Sequence, residues 1–116
     1  MMDDEIDRLE VAHSGREAFV LCLTLGTLEA MRGRTWPLEA GIWTLGRPGF
    51  WESLAEVDDA VVEVIQSADE LDALAGLAGY PAAEAALDRM IAVVRARLSA
   101  LPDKSWHALW SDGTVA

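Results

Sequence analysis

From Pro81 to Pro102 the apolar residues Ala83, Leu87, Met90, Ile91, Val94, Leu98 and Leu101 follow one another in steps of three and four. That spacing puts them on one face of a helix. Pro81 suits the first helical turn, where its missing N–H costs nothing. Glu84 and Asp88 stand early and Arg95 and Arg97 late, which complements the helix dipole. Pro102 ends the segment. The pattern predicts a long helix from Pro81 to about Ala100, and its buried face requires other elements to pack against it.

Composition says what those elements are. The 19 alanines and 15 leucines far outnumber the 18 valines, isoleucines and threonines combined. Alanine and leucine favour helix, whereas β-branched residues favour strand. A second long helix is expected from about Ser14 to Arg32. There Ser14 and Glu17 fit a capping box, and Gly33 is a natural stop. Ala18, Leu21, Leu25 and Leu28 form one stripe, and Phe19, Leu23, Gly26 and Ala30 form another beside it. A helix apolar on two sides is expected to be central, with Gly26 and Ala30 admitting a close neighbour. Pro37–Leu45 and Pro48–Ala55 read as short helices. Asp58–Gln66 follows with Val61, Val64 and Ile65, its acid spacing favouring helix over strand. Ser67 and Glu70 form a second capping box, opening a helix that carries Leu71, Leu74 and Leu77 and ends near Gly79. Asp3–Ala12 is expected as a short acidic helix, Ser105–Trp110 is ambiguous, and residues 111–116 read as a loose tail. At 116 residues the chain is one domain's worth. The expected fold is all-α: a compact, irregular helical bundle of five to seven helices, two of them long, in one domain over residues 1–116.

The chain carries 20 acids against 9 bases, a formal charge of -11. Nucleic acid and anionic membrane surfaces call for a basic face, so neither is an expected partner. The acidic start Met1-Met2-Asp3-Asp4-Glu5 does not resemble a signal peptide. The uncharged stretch Ala18–Leu28 is 11 residues long, against about 20 for a transmembrane helix. A cytoplasmic location is the expectation. One cysteine, Cys22, excludes an internal disulfide, and on an apolar helix it reads as buried and inert. His13 reads as a surface or capping residue, and His107 as partly buried. No G-x-S-x-G nucleophile elbow or glycine-rich phosphate loop is present. The sequence leans away from an enzyme and calls for no cofactor.

The charge is uneven. Between Arg47 and Arg89 there is no lysine or arginine but there are ten acids: Glu52, Glu56, Asp58, Asp59, Glu63, Asp69, Glu70, Asp72, Glu84 and Asp88. Glu52, Glu56, Asp59 and Glu63 step by four, three and four, and on one continuous helix they would form a single stripe. A break near Val57 would relax the repulsion within it. Such a block reads either as a solvated face or as a docking face that steers a basic partner. Glu56 with Asp59, and Asp69 with Asp72, also have a spacing that would suit magnesium. All-α nucleotide pyrophosphohydrolases use glutamate pairs in this way. Their EExxE motif is missing here, as are bases within the block to hold phosphates, and no metal site is assigned.

Five of the eight aromatic residues are tryptophan, at positions 36, 43, 51, 106 and 110. Trp36, Trp43 and Trp51 crowd a segment rich in glycine and proline. The first expectation is structural, with large indoles welding an irregular region to the long helices. The alternative is an exposed patch with Arg34 and Arg47 beside it, since tryptophan and arginine concentrate at binding hot spots.

The chain therefore reads as a small, acidic, non-enzymatic protein-binding domain that docks a basic protein. Glu52, Glu56, Asp59, Glu63, Trp36, Trp43, Trp51 and Arg47 are its candidate contacts. The concrete form of this reading is a bacterial inhibitor of the immunity type. In charge and helix content alone the chain is similar to the colicin immunity proteins. A self-associating adaptor, pairing through the indole-rich face into a homo-oligomer, is the alternative. A magnesium-dependent pyrophosphohydrolase is the third reading.

Overall fold

The computed structural model describes residues 7–102 and 108–111. Two long helices form its centre. Helix α1 spans Arg16–Arg32, and the C-terminal long helix spans Tyr80–Ala100. Between them, in chain order, lie α2 (Leu38–Leu45), α3 (Pro48–Glu52), α4 (Asp59–Gln66) and α5 (Glu70–Ala78), so the Tyr80–Ala100 helix is α6. Helix α6 packs against α1, α5 and α4, and α2 lies on α1 and touches α5. The expected helical bundle and its two long helices are present.

The central pair is antiparallel, and its ion pairs show the direction. Glu17 at the start of α1 meets Arg97 near the end of α6, while Arg32 at the end of α1 meets Glu84 and Asp88 near the start of α6. Glu29 and Arg95 pair between them. The apolar stripe of α6 is buried as its spacing requires: Ala83, Leu87, Met90, Ile91 and Val94 all lie inside. They meet Leu21, Leu28 and Met31 of α1, Leu45 of α2, and Val61 and Ile65 of α4 in one core. Helix α2 comes close to α1 at Gly41, where a Cβ would collide with the buried Met31 side chain. Between α5 and α6, Gly79 adopts φ 90°, a left-handed region that glycine enters without steric cost.

Several local expectations change. Arg8–Val11 is a strand, β1, not part of a helix, and it pairs antiparallel with β2 (Ala108–Ser111) with Leu9 opposite Trp110. Arg-Leu-Glu-Val alternates polar and apolar residues, which is strand periodicity, and pairing with the far end of the chain satisfies its backbone. Ser111 thus belongs to a strand, while residues 3–6 of the expected first helix, 105–107 and 112–116 lie outside the described residues. Neither capping box forms. A 3-10 turn over His13–Gly15 precedes α1, and Glu17 reaches to α6 instead of back to Ser14. Ser67 donates to the Val64 carbonyl, and no side chain caps α5. The cap that does form is Asp58, which accepts from the Ala60 N–H at the start of α4.

Among the described residues no helix covers the Cys22–Gly26 part of the second apolar stripe of α1. Leu23 is 43% exposed, Cys22 is exposed, and a Cβ at Gly26 would meet nothing within 4 Å. Helix α6 and helix α2 pack on the other sides of α1. The reading of Cys22 as buried is therefore corrected.

Candidate functional site

Helix α2 begins after Pro37, whose extended backbone serves as its N-cap, and ends at Gly46. Arg47 is the N-cap of α3, so the two short helices are joined by two residues. This tight connection sets the indoles. Trp43, near the end of α2, is 65% exposed, and the Arg47 guanidinium lies 4.7 Å from the centre of its ring. Trp51, one turn after Arg47, donates its Nε1–H to the Leu45 carbonyl at 2.7 Å while its ring stays 44% exposed. An indole held at its polar end, with its face free, is a rigid apolar surface. The structural expectation for these tryptophans is therefore corrected: they stand at the surface and the core is built without them. Trp106 lies outside the described residues, and of Trp110 only its strand position is described.

Trp36 is 42% exposed but serves other clefts. On one side it joins Cys22, Leu23 and Gly26 along the open face of α1. On the other it lines an open cleft of about 460 Å³ with Glu39, Asp72 and Tyr80. There Arg34 stacks over Tyr80 at 4.0 Å and bonds Glu84.

The acidic stripe is broken as a break near Val57 would require. Helix α3 stops at Glu52, a turn follows in which Glu56 has φ 68°, and α4 restarts at Asp59. Glu52, Glu56, Asp59 and Glu63 are all exposed, but they sit on three separate pieces of backbone. Glu56 lies 3.5 Å from His13.

Ion pairing decides which charge is left for a partner. Arg32 of α1, Arg34 in the following loop, and Arg95 and Arg97 of α6 face acids within the bundle. Arg32 and Arg34 neutralise Glu84 and Asp88, two members of the sequence block. Arg97 holds the Glu17 carboxyl below its ordinary range, chiefly through a bidentate hydrogen bond, and Glu17 also accepts from the Asp58 N–H. Arg16 donates to the Ala55 carbonyl. By contrast, the carboxylates of Glu39, Glu52, Asp59, Glu63, Asp69, Glu70 and Asp72 have no hydrogen bond or ion pair with any described residue. All are exposed. The surplus negative charge is thus concentrated on α2 to α5.

A further cavity lies between α5 and α6. It holds about 410 Å³ and is lined by Leu71, Leu74, Leu77, Ala86 and Met90, with Glu70 and Arg89 at its edges. Sequence reasoning placed Leu71, Leu74 and Leu77 on one helix but did not foresee this groove. The available signal was alanine at position 86, where a larger residue would have filled the space. Among the described residues no three His, Cys, Asp or Glu side chains gather as a metal site requires. No helix among them is long and apolar enough to cross a membrane. No protein-family model matches this chain, nor does any curated protein or solved structure.

Proposed function

We propose that this chain is a small, non-enzymatic, acidic protein-binding domain that docks a basic protein, in the manner of an inhibitor or immunity protein. The docking face is the surface of α2, α3 and the start of α4. Trp43 and Trp51 with Arg47 form its centre, and the exposed acids Glu52, Glu56, Asp59 and Glu63 that follow in the chain supply its negative charge. The observation that carries this reading is the exposed Trp43–Arg47–Trp51 group, followed along the chain by the exposed carboxylates of Glu52, Asp59 and Glu63, which pair with no described residue. An exposed aromatic anchor supplies affinity where it is covered. Exposed acids on the same part of the chain speed the approach of a basic partner and reject an acidic one. A cytoplasmic site of action is part of the proposal.

The test begins with capture of a partner on the immobilised protein and continues with titration of the purified partner. Trp43→Ala should weaken binding about tenfold or more, as a central aromatic anchor does. The combined Glu52→Gln, Glu56→Gln, Asp59→Asn and Glu63→Gln variant should slow association and flatten its salt dependence. Both should fold normally, since all five residues are exposed. Unchanged affinity and unchanged salt dependence in folded variants would overturn the proposal.

A further inference from the structure

The groove between α5 and α6 has features that the proposed docking face does not use. Its apolar row is covered unevenly: Leu71 is 2% exposed, Leu74 is intermediate, and Leu77 is 90% exposed. A leucine left almost wholly in water gains free energy if it is covered. The opposite wall is low at Ala86, which lines it with only a methyl group. One patch therefore holds both a projecting apolar side chain and a hollow.

Its charges are also paired in kind but not in contact. Seven arginine side chains are described, and Arg89 is the one with no carboxylate, carbonyl or ring partner among the described residues. Glu70, on the other edge of the same groove, is equally unpaired. Glu70 stands nine residues before Gly79 and Arg89 ten after it, so they lie at similar heights on the two antiparallel helices.

A patch that carries a knob with its hollow, and a negative with a positive edge, is complementary to itself. We infer that this groove is a self-association face whose occupant is the same face of a second copy of the chain. A two-fold axis running along the groove exchanges its walls, placing α5 of one copy over α6 of the other at the same height. Glu70 of each copy then faces Arg89 of the other. Leu77 of each leans toward the start of its helix, as helical side chains do, and is carried toward the hollow at Ala86 of the other. A purely basic partner helix fits less well, because Arg89 would repel it. The net charge of -11 opposes pairing at a distance. That repulsion is screened beyond about 8 Å at physiological salt, whereas the groove's own charges attract at contact.

The test is the mass of the full chain in solution, by sedimentation equilibrium at physiological salt from micromolar to millimolar protein. The mass should rise with concentration from 12.6 kDa toward twice that value. Leu77→Lys should weaken association about tenfold or more. Glu70→Arg and Arg89→Glu should each weaken it. The double variant should restore it, and mixing the two single variants should yield a mixed dimer. Restoration by charge exchange is a result that mere damage to the fold would not produce. A 12.6 kDa particle at every concentration would overturn the inference, and so would association indifferent to Leu77→Lys and to the exchange. Trp43→Ala and the four-acid variant should leave the mass unchanged, so this inference and the proposed docking face fail separately.

Discussion

Glu17 ties three parts of the chain together, and its removal should be felt in the stability of the whole bundle. Its carboxylate accepts from Arg97 Nε at 2.8 Å, from Arg97 Nη2 at 2.9 Å and from the Asp58 N–H at 3.0 Å. One side chain thus joins α1, the turn before α4 and the end of α6. Glu17→Gln preserves the shape but loses the charge and turns an amide N–H₂ toward one of the donors. Hydrogen bonds to a charged group contribute roughly 1.5–3 kcal/mol each when shielded. The Glu17 side chain is 19% exposed and that of Arg97 35%, so solvent weakens the pair. The expected loss for Glu17→Gln is about 2 kcal/mol, or a fall in Tm of roughly 8 °C for a domain of this size. Urea denaturation followed by tryptophan fluorescence measures it. The dependence on pH gives the sharper check. The native pKa of Glu17 is lowered from its ordinary value of 4.5, with the Arg97 hydrogen bond as the leading cause. Its contribution is therefore complete above that ordinary value and is lost as the pH falls through the lowered native one. Wild type and Glu17→Gln should differ fully at neutral pH and converge in strong acid. Equal stability at neutral pH, or a gap that persists unchanged in strong acid, would refute the reasoning.

Two glycines in helices make opposite predictions. At Gly41 an added methyl would stand 2.8 Å from Met31 Cε and closer still to its Sδ and Cγ, with Met31 fully buried. Gly41→Ala should destabilise by about 1–2 kcal/mol in thermal or urea unfolding, overpacking outweighing the better helix propensity of alanine. At Gly26 the added methyl meets nothing within 4 Å. Gly26→Ala should raise stability by about 0.5–1 kcal/mol in the same assay, and a loss would mean that something packs on the open face of α1.

Some features were legible because they are local. The steps of three and four from Ala83 to Leu101 and the prolines at 81 and 102 determine a helix whatever surrounds it, since helical hydrogen bonds join residues four apart. The same holds for the starts of α2, just after its N-cap Pro37, and of α3 at Pro48, although α3 ends at Glu52 and not at Ala55 as read. Features that depend on distant residues were not legible. The strand at Arg8–Val11 needs the opposite end of the chain as its partner. Ser14 and Glu17 have capping-box spacing, but Arg97, eighty residues on, competes successfully for the carboxylate. Leu23 and Gly26 have the composition of a buried face, yet burial depends on whether another helix arrives, and none among the described residues does.

The candidate site divides in the same way. Sequence alone determined the net charge, the stretch free of lysine and arginine, and the crowding of tryptophan between positions 36 and 51. Tertiary structure decided which of those charges and rings remain available. Glu84 and Asp88 belong to the acidic stretch in the chain but are taken by Arg32 and Arg34 from the other side of the bundle. Glu52, Asp59 and Glu63 keep their charge unpaired among the described residues because no described arginine of α1 or α6 reaches them. Trp43 and Trp51 face outward because the aliphatic side chains of α1, α2, α4 and α6 already fill the core. Helical periodicity and total charge are sums over neighbours in sequence; exposure and ion pairing are relations between residues that only the packed chain brings together.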